Sequence, residues 1–211
     1  MPKGSEALTN ARREEIIEGC ARLYETVSFK EITMKEISSA ISLTRASIYN
    51  YFQTKEEIFL ALLKREYDRE YERWTARLKK AREDHERMSR EEFARELAHS
   101  LEERQQLLKL LSMNLYDLEE NCRFERLVEF KVVYGRALVE VGNCLEQFFP
   151  EMTEEERQDF LYLFFPFLFG VYPYTVVTDK QRRAMDEAGI SYRKQTVYEI
   201  VYGETRKLLG V

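Results

Sequence analysis

The chain has 211 residues and a formal net charge of −5, from 33 Lys and Arg against 38 Asp and Glu. A hydrophobic content of 44% and a charged content of 34% are typical of a globular protein and argue against a disordered chain. The three cysteines are widely spread and lack C-x-x-C spacing, so no disulfide framework or zinc site is expected, and a cytoplasmic location is predicted.

The first 149 residues predict an all-α fold. Proline is absent between Lys3 and Phe149, and the alternating β-branched residues of strands are missing there. Residues 1–9 lack the apolar stretch of a signal peptide and are predicted to form a short mobile arm. Four capping boxes mark helix starts, each with a Ser or Thr N-cap and a Glu three residues later. The boxes pair Thr33 with Glu36, Thr54 with Glu57, Ser89 with Glu92 and Thr153 with Glu156.

The N-terminal region predicts a helix-turn-helix. A first helix over about 10–27 carries an apolar stripe that needs partners, and two very short helices follow over about 33–40 and 44–51. Helices this short are unstable alone because helix nucleation is costly. We therefore expect them to form only as a packed unit. Its predicted inward-facing residues are Ile37, Ile41, Leu43, Ile48 and Phe52.

The outward face of the second short helix favours nucleic-acid binding. Although the chain is acidic, no acidic residue occurs from Ile37 through Lys55. The first turn carries Thr44, Arg45 and Ser47, which can bond base edges in a major groove. Carboxylates beside them would repel phosphate. The residues expected toward the flanking phosphates are Tyr49, Asn50, Tyr51 and Lys55. A solvated surface helix is the alternative that periodicity and charge leave open.

Four segments follow one another in this region: LYETVSF, TMKEIS, TRASIYNYF and TKEEIF. Over about residues 11–63 the chain resembles the DNA-binding head of the TetR family of transcriptional regulators, and YNYF followed by KEE is the most specific part. Ser42 in the turn and Ser28 after the first helix depart from the family pattern, which frequently has glycine there. The resemblance implies groove contacts from Arg45, Ala46 and Ser47 and phosphate contacts from Thr33, Lys35, Tyr49, Asn50, Tyr51 and Lys55.

Beyond this three-helix head, a helical ligand-binding and dimerisation domain is expected. The predicted division is a DNA-binding domain over 10–55 and a regulatory domain over 56–211. A long helix is predicted from Thr54 to about Arg82. Further helices are predicted over about 89–104, 105–119, 124–149, 153–177 and 191–209.

The segment from Phe160 to Thr178 carries no charge, and its length is at the lower limit for a membrane span. Two prolines and a glycine interrupt it and acidic residues flank it, so no membrane contact is expected. A membrane-anchored regulator is the alternative. A helix this apolar is otherwise buried, against its own core and a second subunit. The resemblance implies a homodimer through 153–177 and 191–209, reading an inverted-repeat operator in double-stranded DNA.

The resemblance also implies a small-molecule pocket in the helical core, whose occupancy releases DNA. An aromatic, weakly charged lining predicts an apolar or aromatic effector. Ordinary core packing is the alternative explanation for aromatic residues at helical spacing. The candidate lining residues are Met113, Tyr116, Phe124, Phe130, Tyr134, Phe164, Phe167 and Tyr172.

Catalytic motifs are missing from the sequence. The two histidines are far apart, and no G-x-S-x-G, phosphate-binding glycine loop or H-E-x-x-H occurs. We therefore expect no enzymatic activity, no metal and no cofactor. The sequence predicts a DNA-binding transcriptional regulator, a repressor released by a small molecule. A helical small-molecule-binding protein without a working DNA head is the alternative.

Overall fold

A computed structural model describes residues 3–85 and 87–211, and every regular element within them is helical, which confirms the predicted fold class. A π-helix spans Asn114–Glu119. The α-helices in chain order are α1 (Lys3–Thr26), α2 (Met34–Ser39), α3 (Arg45–Ile48), α4 (Lys55–Glu83), α5 (Arg90–Glu102), α6 (Gln105–Leu111), α7 (Phe124–Phe148), α8 (Glu154–Thr175), α9 (Asp179–Glu187) and α10 (Val197–Leu209).

The chain forms two compact units. The first extends to Asp68 and also includes Asn114–Tyr134, while the second comprises Arg69–Met113 and Gly135–Val211. Helices α4 and α7 therefore have residues in both units. The first unit contains the predicted helix-turn-helix over 10–55 together with the start of α4, the π-helix and the start of α7.

Helix α1 is longer than predicted. It begins at Lys3, so the described part of the expected arm is helical, and Met1 and Pro2 lie outside the described residues. The physical reason is local, because the sequence from Glu6 to Arg13 contains neither proline nor glycine and nothing there stops a helix from extending.

Helices α2 and α3 are held by a small core. The predicted inward-facing residues Ile37, Ile48 and Phe52 are fully buried, whereas Ile41 and Leu43, in the link between the two helices, are half-buried. With six and four residues, neither helix reaches the length at which helices are stable alone. Their conformation therefore depends on the apolar contacts beneath them.

Most of the predicted helix starts are seen. Thr33 accepts hydrogen bonds from the backbone amides of Lys35 and Glu36 at the start of α2. Complete capping boxes begin α5, with Ser89 and Glu92, and α8, with Thr153 and Glu156.

Three helices differ from the prediction in the second half of the chain. The expected helix over 105–119 is divided into α6 and the π-helix. The helix expected from residue 191 begins only at Val197, because Thr196 caps it in a capping box with Glu199. Helix α9 was not predicted. It also begins with a capping box, and the left-handed Gly189 follows its end.

In the second unit, α10 packs against α5 and α8 and buries Val197, Val201, Thr205 and Leu209. Helix α8 contains most of the uncharged segment and continues through both Pro166 and Pro173. One of its faces is buried, while another exposes large apolar side chains, with Tyr162 at 76% and Leu163 at 59%.

Within residues 3–85 and 87–211, no individual helix combines the length and apolarity required to cross a membrane. Helices α8 and α9 meet the requirement only as a pair, and the chain bends by 83° between them.

Gly19 of α1 packs against Ile41, which lies in the link between α2 and α3. A Cβ atom added at this position would lie 2.2 Å from Cγ2 of Ile41. Such a distance is far inside van der Waals contact, and the Cγ2 methyl of a β-branched residue has little freedom to move. The glycine is therefore required by close packing.

We expect Gly19→Ala to lower the free energy of unfolding by about 1–2 kcal/mol net, because overpacking of about 1–3 kcal/mol exceeds the gain in helix propensity. Gly135→Ala in α7 is the matched control, since nothing lies within 4 Å of the added Cβ. It is expected to raise the free energy of unfolding by up to about 1 kcal/mol. Urea denaturation checks both variants.

The cause is isolated in an Ile41→Ala background, which removes the clashing methyl. There Gly19→Ala should become stabilising, as Gly135→Ala is. Equal stability changes for Gly19→Ala in both backgrounds would contradict the packing explanation.

Candidate nucleic-acid interface

The ten residues predicted to contact DNA all lie in the first compact unit, on α2, α3, the turn after α3 and the start of α4. We call these ten residues the reading surface. Seven of its side chains are exposed and three are half-buried. The exposed ones are Thr33, Lys35, Thr44, Arg45, Ala46, Tyr49 and Asn50, and the half-buried ones are Ser47, Tyr51 and Lys55.

The first turn of α3 is fixed by its own polar side chains. The hydroxyl of Thr44 accepts from the backbone amide of Ser47 at 3.2 Å, which caps the helix. The two hydroxyls also share a hydrogen bond of 2.9 Å. Thr44 is therefore part of the helix cap as well as of the surface, a role that the sequence analysis did not assign to it.

Arg45 lies along the exposed face of α3. Its Nη2 donates to the hydroxyl of Tyr49 at 3.2 Å, and its guanidinium is 5.8 Å from the centre of that ring. Among the described residues no carboxylate forms an ion pair with Arg45. Its charge is therefore available, and the tyrosine restricts its rotamers before any ligand arrives.

Lys55 has partners within the protein that the sequence analysis missed. Its Nζ donates to the backbone carbonyls of Phe29 at 2.8 Å and Ile32 at 3.2 Å. The ammonium also lies 4.0 Å from the centre of the Phe29 ring, at the distance of a cation–π contact. Lys55 therefore holds the start of α4 to the chain between α1 and α2.

The two serines that depart from the family pattern are accommodated by carboxylates. The backbone amide of Ser42 donates to Glu15 at 2.8 Å, its hydroxyl bonds the same carboxylate, and these bonds lower the pKa of Glu15. The amide and hydroxyl of Ser28 donate to Glu31 at 3.2 and 2.5 Å. Neither serine has a positive φ, so the backbone at these two positions does not require glycine.

The predicted capping box of Thr54 with Glu57 is only half formed. Thr54 accepts from the backbone amide of Glu57 at 3.2 Å, but the Glu57 carboxylate bonds the amide of Gln53 instead of returning to Thr54. Its other partner is Arg123, which donates from Nε at 2.5 Å and from Nη2 at 2.9 Å. Burial raises the pKa of Glu57, but the bonds from Arg123 and Gln53 outweigh it and the net pKa is lowered.

Four of the predicted pocket residues lie in the first unit. Tyr116 and Phe124 are surface residues, with exposed fractions of 80% and 74%. Phe130 and Tyr134 form an aromatic cluster with Tyr67, with ring centroids 5.7–6.1 Å apart. Phe130 also lines a cavity of about 310 Å³ between α1, α4 and α7, whose walls carry four basic and four acidic side chains.

The other four predicted pocket residues lie in the second unit. Phe164 is a core residue, and Met113 and Tyr172 are half-buried. Burial raises the pKa of Tyr172. Phe167 lines a mostly apolar groove of about 300 Å³ between α8, the chain before α10 and α10 itself, and Arg193 is the one charged residue in its lining.

Comparison with known proteins identifies both parts of the chain. The model of "Bacterial regulatory proteins, tetR family" matches residues 16–62, and that of "Tetracyclin repressor-like, C-terminal domain" matches residues 68–196, more than half of the chain. The HTH-type transcriptional repressor Rv1474c of Mycobacterium tuberculosis is 32% identical over 69 residues, which are 33% of this chain and 37% of that protein. The HTH-type transcriptional repressor AcnR of Corynebacterium diphtheriae is 32% identical over 62 residues, 29% of this chain and 33% of that protein.

The chain therefore matches only about a third of the length of these two relatives. FadR from Bacillus subtilis, solved in complex with stearoyl-CoA, has the same fold, with a TM-score of 0.58, 15% identity and coverage of 92% of this chain and 96% of that chain. The resemblance seen in the N-terminal sequence is confirmed by the family models, which extend it into the C-terminal helices. The chain belongs to the TetR family of bacterial regulatory proteins.

Proposed function

We propose that this protein is a transcriptional repressor that binds an inverted-repeat operator in double-stranded DNA as a homodimer and is released by a small molecule. The observation that carries the proposal is the reading surface itself, a mostly exposed and acid-free set that is rich in hydroxyl, aromatic and basic side chains, in an acidic chain. Two of its relatives, Rv1474c and AcnR, are named repressors, and they match the chain over 69 and 62 residues.

The first turn of α3 has the chemistry of base readout. Arg45 can bond guanine O6 and N7 in two parallel hydrogen bonds, and Ser47 and the Ala46 methyl suit neighbouring base edges. Lys35 and Thr33 at the start of α2 suit a phosphate contact, which fixes register without specifying sequence. Because Tyr49 already orients Arg45, part of the ordering entropy of that side chain is lost before DNA binds.

Homodimerisation is proposed through the exposed apolar face of α8, together with α10. Tyr162, Leu163 and Tyr174 on α8 are exposed by 76%, 59% and 70%, and a partner subunit packed on this helix would cover them. A two-fold axis would repeat this face on the partner and would place two copies of α3 about one DNA turn, roughly 34–36 Å, apart.

The proposed effector is apolar or aromatic. The groove beside Phe167 is mostly apolar and offers Arg193 as a cation at its wall, so an apolar molecule with one anionic group suits it best. FadR of B. subtilis is described with stearoyl-CoA. Long acyl compounds therefore belong in the first set of ligands to test against the protein–DNA complex.

The DNA-binding proposal is tested by selection from a library of random 30-base-pair duplexes with the full-length protein at low salt. We expect enrichment of an inverted repeat, and protection of both half-sites in a footprint. A library that stays random after repeated rounds, with binding no tighter than that of an acidic control protein, would overturn the proposal.

Arg45→Ala is expected to weaken binding to the selected duplex by about 1–3 kcal/mol and to relax preference at one base pair of each half-site. Arg45→Lys is the matched control, since it keeps the charge but loses the two-pronged bond to guanine. It should retain the salt dependence and lose the base preference. Fluorescence anisotropy with selected and scrambled duplexes measures both, and equal losses on the two duplexes would contradict base readout.

Lys35 and Lys55 are expected to behave differently when replaced by alanine. Lys35 is exposed, so Lys35→Ala should leave thermal stability unchanged and reduce the slope of log K against log salt by about 0.9 per phosphate contact. Lys55→Ala removes the hydrogen bonds to the backbone carbonyls of Phe29 and Ile32 and should lower the free energy of unfolding by about 1–3 kcal/mol.

Thermal denaturation and salt titrations of DNA binding separate the two effects. Were Lys55→Ala to match wild-type stability while losing one phosphate contact, the internal role of its ammonium would be excluded.

Leu163→Glu is expected to convert the dimer to a monomer, because it places a charge in the proposed apolar interface on α8. Leu8→Glu is the matched control, since Leu8 on α1 is exposed to a nearly equal extent, 60% against 59%. Sedimentation velocity should show a monomer for the first and an unchanged dimer for the second. A dimer that tolerates Leu163→Glu would remove α8 from the interface.

A further inference from the structure

The carboxylate of Glu57 is fully buried although it lies in the first turn of α4. It accepts four hydrogen bonds, from the backbone amide of Gln53 at 2.8 Å, from the backbone amide of Arg123 at 3.3 Å and from Nε and Nη2 of Arg123. A carboxylate with four donors is satisfied on both oxygens. Its partners come from two parts of the chain that are about 70 residues apart in sequence.

The first part is the link between α3 and α4. Gln53 follows Phe52, whose ring is fully buried, and the amides of both Tyr51 and Phe52 bond back to the carbonyl of Ile48 at the end of α3. Every backbone amide from Tyr49 to Gln53 therefore donates a hydrogen bond within the protein. The bond from Gln53 to Glu57 therefore restrains a segment that is itself bonded to the end of α3.

The second part is the segment 114–123, which we call the strut. Arg123 is the residue whose carbonyl accepts the first backbone bonds of α7, from Arg126 and Leu127. The carbonyl of Asn121 accepts from the hydroxyl of Thr54 at 3.3 Å, beside the Glu57 pair. The strut is thus bonded to the start of α4 at two successive places.

The strut is also bonded within itself. The side chain of Asn121 donates to the carbonyls of Tyr116 and Asp117 within the π-helix. Glu119 accepts from Asn114 at 2.8 Å and forms an ion pair with Lys131 of α7 at 2.7 Å. These bonds make the strut and the start of α7 one connected body within the first unit.

Stability alone is a weak reason for a buried ion pair, because desolvation cancels much of its attraction and apolar pairs of similar volume commonly serve as well. The pair instead fixes the relative orientation of the two side chains, since Nε and Nη2 of Arg123 donate to the two oxygens of one carboxylate in a single geometry. A directional bond between the strut and the link after α3 suits an element that must be oriented, not merely packed.

We propose that Glu57 is a positioning residue for DNA reading, which through Arg123 fixes the end of α3 against the strut. The inference rests on the proposed DNA-binding function. It assigns Glu57 and Arg123 no contact with DNA. Loss of their bond leaves the reading surface chemically intact but lets α3 adopt a wider range of orientations.

The test compares Glu57→Gln, Arg123→Gln and the double variant, using the duplex selected by the wild-type protein and a scrambled duplex of the same composition. Glutamine keeps the size of the glutamate side chain and removes its charge. We expect the ratio of affinities for the two duplexes to fall about tenfold in each single variant, within the usual range of about 5- to 150-fold for coupling between sites. The double variant should lose no more than either single one, because all three break the same bond.

Lys64→Gln is the matched control. It removes an ion pair with Asp68 on the same helix, at 3.1 Å, that does not involve the strut, and the affinity ratio should stay unchanged. All measurements are made well below each variant's melting temperature, which is determined by circular dichroism. Should Arg123→Gln fail to fold, because it leaves the fully buried Glu57 carboxylate without its counter-ion, Glu57→Gln decides, since the Arg123 side chain that it leaves behind is partly exposed to solvent.

A merely structural pair would lower the melting temperature and leave the affinity ratio at the wild-type value, and that result would overturn the inference. Losses that add in the double variant would do the same. Failure of the wild-type protein to select any duplex is a different result, because it removes the proposed function itself and not only this role of Glu57.

Discussion

The reading surface depends on apolar packing beneath two helices that are too short to exist alone. Helices α2 and α3 have six and four residues, so their side chains point in fixed directions only because Ile37, Ile48 and Phe52 are buried below them. The inward positions are therefore restricted to apolar residues of the right size. The outward positions carry no such restriction, and their chemistry can be devoted to a ligand.

The start of α4 holds this small core to the rest of the first unit through two opposite charges. A cation in the first turn of a helix is unfavourable, because the helix dipole is positive there. Lys55 nevertheless occupies that position, and two backbone carbonyls and the Phe29 ring offset the unfavourable interaction. The negative charge of Glu57 is favoured by the helix dipole, and its carboxylate accepts hydrogen bonds from Gln53 and Arg123. Two neighbouring residues thus connect α4 to three separate stretches of chain, which explains why neither is an ordinary surface charge.

Signals that depend on a few neighbouring residues were readable from the sequence, and those that depend on distant partners were not. Capping at Ser89 and Thr153 involves a carboxylate three residues away, and both boxes are present as predicted. The box at Thr54 has the same sequence pattern, but Arg123, 66 residues from Glu57, draws the carboxylate away. The internal partners of Lys55 were likewise not predicted, because nothing local in the sequence shows that the carbonyls of Phe29 and Ile32 lie within its reach. The late start of α10 is a local signal that was overlooked, since Thr196 and Glu199 have the same spacing as the other boxes.

The net charge of −5 is compatible with binding a polyanion because electrostatic interactions in solution are local. At physiological ionic strength an exposed charge is largely screened beyond a Debye length of about 8 Å, so distant carboxylates contribute little at the reading surface. What matters is the set of carboxylates within that distance of α2 and α3. Two that lie close in the first unit are already bonded, Glu15 to Ser42 and Arg12, and Glu57 to Arg123. An acidic protein can therefore offer phosphate a locally favourable surface, provided that its nearby acids are occupied by internal partners.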